Sequence, residues 1–413
     1  MLFKNKKIKD FTNLSIFNFL VLSLSFFTTP MIANLLGSSN FGLLSFSVSI
    51  GTYILSISYC GFEKTLVRDL LNDENQASKI LFSSLFIRIF ILIITYSVSI
   101  FILMNHFEKN TFLYIIVLSE SLKCLYLNGF FDARDKISKN SLIFFIERLV
   151  YFSLIWIIIF FDKKSLSLEI ISISSLLATL LSLFLQYKTA YNLIKFDFNI
   201  ASLRYGYELL RKNLWIWSSV LAQLGFGGLS KILMLKFASK SDLGIYALAW
   251  QVVIIGSVII NQVSRIYFPI LIQTLKEKEF HPKNVILFIT KYQIILIAIG
   301  SFLAIFPIFL ATELLSFFKP EYIEAENIIK VFGLYIIVIS FNVLSNQYLT
   351  ALKMEKKIAM SLIFSSLITL ILFFIFIPKF SGVGAAISVL IGHSICALLQ
   401  FFIMIKNIIK LND

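Results

Sequence analysis

The sequence predicts an all-α integral membrane protein of about twelve transmembrane helices in two six-helix lobes around a central cavity. Three observations carry that prediction: the composition, a succession of apolar runs of about twenty residues, and punctuation that recurs half a chain later. Hydrophobic residues make up 58% of the 413 residues and charged ones 15%, and 44 Phe outnumber the 37 Lys and Arg. A soluble domain is about 45–50% apolar and about 25% charged. A chain this apolar cannot cover its surface with polar groups, so lipid is the solvent for much of it.

About twenty apolar residues cross about 30 Å of hydrocarbon as a helix. The first such run, 12–35, follows the basic start "FKNKKIKD" and has the outline of a secretory signal. It exceeds the 7–15 residues of a signal's apolar region and leads into further membrane segments, so it is read as a span. The next five are 41–62, 80–104, 111–131, 141–161 and 165–187, which complete an N-terminal lobe over 1–187. Residues 188–212, "KTAYNLIKFDFNIASLRYGYELLRK", form a basic, partly amphipathic linker suited to an anionic inner leaflet. The C-terminal lobe, 213–413, holds spans at 213–235, 242–265, 292–316, 327–350, 358–378 and 382–405. Pro30 and Pro307 fall inside spans, where each removes a helix hydrogen bond and predicts a kink.

Lys and Arg orient the spans. With a cytoplasmic N-terminus, the inner segments hold 25 of the basic residues and the outer loops 8, with four inside spans. That bias is the positive-inside pattern and places both termini in the cytoplasm. The net charge of +14 is spread over these short segments rather than clustered, so it predicts topology and no nucleic-acid partner. Cys60, Cys124 and Cys396 lie in apolar runs without pairing or metal-ligand spacing and are expected to be inert.

The recurring punctuation is "LGSSNFGLLSFSVSI" at 36–50 and "SKSDLGIYALAWQV" at 239–252. Gly42 and Gly244 open the second and eighth spans, where glycines allow close helix packing. Asn40 and Asp242 are placed to cap the helix starts. A second echo, "SLIFFIERL" at 141–149 and "SLIFSSLIT" at 361–369, opens the fifth and eleventh spans. Two echoes in matching order predict a parallel repeat of six spans, an arrangement suited to alternating access about a site between halves.

Several segments resemble the polysaccharide transporter family, the lipid-linked O-antigen and exopolysaccharide repeat-unit flippases. They are "LGSSNFGLLSFSVS" at 36–49, "YCGFEKTLVRDL" at 59–70, "LNGFFDARDKISKNSLIFFIERLV" at 127–150, "DLGIYALAWQVVIIGSVIINQVSRIYFPIL" at 242–271, "LLSFFKPEYIEAENIIKVFG" at 314–333 and "GVGAAISVLIGHSI" at 382–395. The resemblance covers nearly the whole chain in order. It implies the superfamily of multidrug, oligosaccharidyl-lipid and polysaccharide exporters, in which two six-helix lobes form a V around a cavity. The family's usual aromatic-Gln-Gly reads "LNGFF" at 127–131 here, which leaves sugar specificity open. The implied cargo is an undecaprenyl-pyrophosphate-linked oligosaccharide, moved to the outer leaflet of the bacterial cytoplasmic membrane. Implied partners are membrane lipids, a polysaccharide polymerase and chain-length proteins; no cofactor is implied beyond coupling to Na⁺ or H⁺.

Ionisable groups inside spans are costly and are functional candidates by default. Arg88, Lys123 and Arg148 fall at similar depth, and Lys231 lies nearer the outer end of the seventh span. With Arg68 and Arg265 at the inner ends of the second and eighth spans, they are the candidate cations for a pyrophosphate head, for which arginine's planar fork is suited. Glu120 and Glu147 are candidate coupling acids or partners of those cations; Glu120 and Lys123 share a helix face. His393 is read as a hydrogen-bonded packing residue. A cation-coupled multidrug antiporter of the same superfamily is the alternative, and it calls for a more acidic interior than two acids against four bases. An enzyme is not expected, because the predicted outer segments are short and carry neither paired carboxylates nor a phosphate-binding loop, and no metal site is expected.

Overall fold

The computed structural model describes residues 2–72, 76–106, 110–162, 166–194, 202–276 and 282–412. These residues are almost wholly helical. In chain order the helices are α1 (Leu2–Tyr59), α2 (Phe62–Asn72), α3 (Ala77–His106), α4 (Thr111–Leu122), α5 (Asn128–Ala133), α6 (Ile137–Phe161), α7 (Leu168–Tyr191), α8 (Leu203–Lys212), α9 (Leu214–Phe237), α10 (Lys240–Lys276), α11 (Pro282–Phe309), α12 (Ala311–Leu315), α13 (Glu326–Ala351) and α14 (Glu355–Asn412). Among the described residues, ten helical segments are long and apolar enough to cross a membrane. Two of them lie in α1 and α14, helices of 58 residues that are each broken by one non-helical residue, Gly37 and Ser381. Both breaks fall between the spans that the sequence separates. Pro30 and Pro307 lie within continuous stretches of α1 and α11.

The chain divides into two compact units, Met1–Leu36 with Leu43–Leu221, and Gly37–Gly42 with Ala222–Asp413. The division falls inside α9 rather than at its start, and the turn at 37–42 groups with the second unit.

In the first unit apolar side chains face outward as well as inward. α3 turns Phe86, Ile89, Phe90, Ile93, Phe101 and Ile102 outward, while Ser83, Ser84 and Arg88 are buried. An apolar outer face costs nothing in lipid, and buried hydroxyls join helices that hydrophobicity alone does not hold together. Ser119 of α4 bonds Ser175 at 2.8 Å and Thr179 at 3.1 Å on α7 in this way. The short helix α8 occupies part of the expected linker. Ser202 caps it by accepting from the Tyr205 amide at 3.2 Å, and the Ser202 amide donates to Ser83 Oγ of α3 at 3.1 Å. Residues 195–201 of that linker lie outside the described residues.

In the second unit α13 is the central helix, with Phe332, Ile336, Ser340, Leu344, Ser345, Tyr348 and Leu349 buried. A Cβ at Gly256 of α10 would lie 2.8 Å from Ile336, so glycine lets α10 and α13 approach closely. At the start of α10, Ser239 Oγ accepts from the Asp242 amide at 3.0 Å, and Asp242 Oδ2 accepts from the Ser239 amide at 3.0 Å. This reciprocal box corrects the sequence expectation: Ser239 is the cap and Asp242 its partner three residues on.

The second echo also has a structural counterpart. Each copy begins against a buried glutamine of the next span: Gln186 donates to Asn140 at 2.9 Å, and Gln400 donates to Ser361 at 3.1 Å.

Candidate functional site

In the first unit the polar groups converge on a broken helix. α4 ends at Leu122, a 3-10 turn covers Lys123–Leu125, and Tyr126 is extended before α5 begins. The break strips three carbonyls of intrahelical partners, and unmet buried carbonyls are costly in lipid. Other helices supply the donors. Arg88 of α3 donates to the carbonyls of Cys124 and Tyr126, each at 3.3 Å. Tyr59 reaches the Tyr126 carbonyl at 3.3 Å, and Tyr187 the Leu125 carbonyl at 3.2 Å. The Leu127 amide donates to Gln186 at 2.8 Å.

Arg88 is 0% exposed. Its remaining contacts are Ser84 Oγ at 3.2 Å and the ring faces of Tyr59 and Phe62, 4.7 and 5.3 Å from the guanidinium carbon. Carbonyl dipoles and ring quadrupoles therefore offset the charge without a carboxylate in direct contact. The sequence expectation placed Arg88 in the cargo path. The structure encloses it in protein, with Nε alone lacking a partner. Arg88 thus holds the break in shape rather than facing open space.

The candidate acids are engaged. Glu147, 5% exposed, accepts from the Tyr126 hydroxyl at 2.9 Å, so Tyr126 bridges Arg88 to a carboxylate. Glu120 pairs with Lys123 at 2.6 Å, both side chains being mostly buried. The pair fits because Gly51 of α1 has no side chain there; a Cβ would lie 2.5 Å from that of Glu120.

Two candidate cations of this unit remain more open. Arg148 is half-buried on α6, and no carboxylate of the described residues lies within ion-pair distance. Arg68, 52% exposed on α2, contacts Asp69 at 3.1 Å and Asn213 Oδ1 at 3.4 Å. Asn213 is itself fixed by donating to Thr65 at 2.7 Å. The guanidinium is held from one side and open on the other, as anion recognition requires.

In the second unit α9 carries a polar stripe, Gln223–Gly227–Lys231, at four-residue spacing. Gln223 is exposed near mid-helix, and Lys231 is half-buried with no carboxylate of the described residues at ion-pair distance. α10 repeats the pattern with Ser257, Asn261 and Arg265. Arg265 sits on that helix, but its side chain lies outside the described part.

Aromatic residues pack around Gly227, one turn before Lys231. A Cβ at Gly227 would lie 2.7 Å from the Trp250 ring. Trp250 meets Phe332 and Tyr335 with ring centres 5.1 and 6.0 Å apart. The Tyr335 hydroxyl bonds the His393 ring at 3.0 Å, and Phe226 packs on that ring at 4.0 Å. His393 is therefore a hydrogen-bonded packing residue, as its isolation in the sequence suggested. Sequence reasoning missed Tyr59, Tyr126, Gln186, Trp250 and Tyr335. Their only signal is a polar edge within an apolar run, which many packed residues share.

Residues 8–275, about two-thirds of the chain, match a family described as polysaccharide biosynthesis protein. The chain belongs to that family. CapF of Staphylococcus aureus, a capsular polysaccharide biosynthesis protein, is 32% identical over 199 residues, 46% of this chain and 48% of CapF. The match therefore spans about half the length of that curated relative. Among solved structures, the lipid II flippase MurJ in an inward closed conformation aligns with a TM-score of 0.73 at 16% identity, over 97% of this chain and 89% of MurJ. An inward-facing multidrug resistance MATE family transporter of the MOP superfamily aligns at 0.66 and 12% identity, over 96% and 95% of the two chains. Identities this low speak to fold alone. The resemblance read from the sequence holds at the level of family and fold: this member of the polysaccharide biosynthesis family is a multi-pass membrane protein built like flippases and exporters.

Proposed function

We propose that the protein is a flippase that carries an undecaprenyl-pyrophosphate-linked oligosaccharide repeat unit from the cytoplasmic to the outer leaflet of a bacterial cytoplasmic membrane by alternating access. The observation that carries this reading is the pattern of uncommitted charge. Arg148 and Lys231 are half-buried cations in apolar helices without a carboxylate at ion-pair distance among the described residues; Arg68 is exposed but paired with Asp69 at 3.1 Å. The intraspan acids Glu120 and Glu147 are already bonded to Lys123 and Tyr126. Cations kept at such cost suit an anionic cargo. A drug-cation antiporter would instead call for a free acid, so it is the weaker reading.

The test is export of a lipid-linked repeat unit in a flippase-deficient host expressing this chain, alongside ethidium efflux from the same cells. Surface glycan without ethidium efflux supports the proposal. Efflux without glycan, in hosts making several different repeat units, overturns it.

A further inference from the structure

We propose that α8 is a docking site for anionic phospholipid headgroups, with Arg204 and Arg211 taking the phosphates and Leu203 and Tyr207 entering the acyl region beside them. The site is independent of cargo and stands whether or not the protein is a flippase.

The level of α8 follows from what it touches. It packs on the first turns of α3, where the Ser202 amide bonds Ser83 at 3.1 Å and Lys79 Nζ lies 4.6 Å from the centre of the Tyr205 ring. A Cβ at Gly206 would lie 2.5 Å from the Ser83 carbonyl oxygen and 3.2 Å from Ile87, so glycine sets the two helices in close contact. The large apolar residues that α3 turns outward begin at Phe86 and continue to Met104. α8 therefore lies at the edge of that apolar band. Directly after it, Leu214 and Trp215 are exposed at the start of α9, itself apolar enough to cross a membrane.

The order of residues around α8 indicates what it meets there. At about 100° per residue, Gly206, Leu209 and Leu210 share one face, and all three are buried. Beside that face come Leu203 and then Tyr207, both exposed; next come Arg211 and Arg204, and then Glu208. Lys212 falls on the flank opposite Leu203. One edge of the exposed surface thus passes from apolar to basic, the order a helix needs when it lies in a bilayer surface with its bases at the phosphates. Tyrosine beside arginine suits the same level, since each has an apolar body and a polar tip. Arg204 meets Glu208 at 3.7 Å, a solvated pair worth little. Arg211 has no carboxylate at ion-pair distance among the described residues. Both arginines are therefore available to a phosphate, which their planar forks suit.

The test titrates the full chain, in a neutral detergent, with phosphatidylglycerol or with phosphatidylcholine of the same acyl chains. The reading is the lipid concentration that gives half of the rise in melting temperature. A variant that melts lower on its own is still scored, because the reading is a concentration. R211Q and K212Q remove equal charge from adjacent residues on different flanks. We expect phosphatidylglycerol alone to stabilise the wild type, and R204Q and R211Q each to raise its half-saturating concentration about fivefold. K212Q and R211K should stay within about twofold of wild type. Equal stabilisation by the two lipids, or by neither, overturns the proposal. So does an equal loss in R211Q and K212Q, which would mark a diffuse field, or no loss in R211Q. Displacement of the lipid by soluble glycerol phosphate at constant ionic strength also overturns it, because the site would then take a free phosphate.

Discussion

Gly42 and Gly244 meet backbone to backbone. A Cβ added at Gly42 would lie 2.9 Å from the Gly244 amide nitrogen and collide with the Lys240 carbonyl, and one at Gly244 would collide with the Ser38 carbonyl. The two echoed stretches of sequence therefore touch each other, and the recurring glycines exist for that contact. Nearby, Ser38 Oγ and Ser241 Oγ are 2.6 Å apart, and Glu321 accepts from the Ser38 amide at 2.8 Å.

Gly42→Ala and Gly244→Ala should each destabilise the protein, because the obstacle is backbone that cannot rotate away. Overpacking of this kind costs about 1–3 kcal/mol. A fluorescence melting curve of the detergent-solubilised protein measures it. An unchanged melting temperature for both variants would show that the contact has slack.

Removal of the Ser38 cap should have a smaller effect. Glu321→Ala leaves one backbone amide without its acceptor and is expected to cost about 1 kcal/mol, less than either glycine substitution in the same assay.

Arg88 should behave as a structural residue. Arg88→Met leaves the Cys124 carbonyl without a described donor and removes one of two from Tyr126, for a loss of about 2–3 kcal/mol. The variant should melt lower and accumulate less in membranes. Arg148→Glu should insert normally and lose export instead. Equal membrane levels and equal export for Arg88→Met and wild type would refute the role given to Arg88.

Tyr126 and Glu147 should be energetically coupled. In a cycle of Tyr126→Phe, Glu147→Gln and the double variant, the interaction should be about 1.5–3 kcal/mol, as expected for a hydrogen bond to a charged acceptor. Additive effects would mean that the 2.9 Å contact contributes nothing of its own.

The sequence revealed what depends on composition and periodicity. Each apolar run had to become a helix, because lipid offers its backbone no other partner. The glycine-marked echo at 42 and 244 was visible because close approach demands a particular residue. The i,i+3 spacing of Glu120 and Lys123 foretold their pairing. Where the reasoning fell short, the deciding partner was distant in sequence. Arg88 read as a cargo cation or the partner of a carboxylate because the break that consumes it lies some 36 residues away. That break was itself hidden, since "SLKCLYLNGFF" at 121–131 reads as an ordinary apolar run. Asp242 was taken for the cap because the reciprocal box with Ser239 depends on which residue begins the helix.

The turn at 37–42 belongs to the second unit although both of its flanks belong to the first. A fragment cut from the middle of the chain to its end would thus be missing a strip of its own packing. Expressed separately, residues 222–413 should need a peptide spanning 37–42 supplied in trans before they recover native protease resistance. The second unit thus depends for its packing on six residues far upstream of the rest of it.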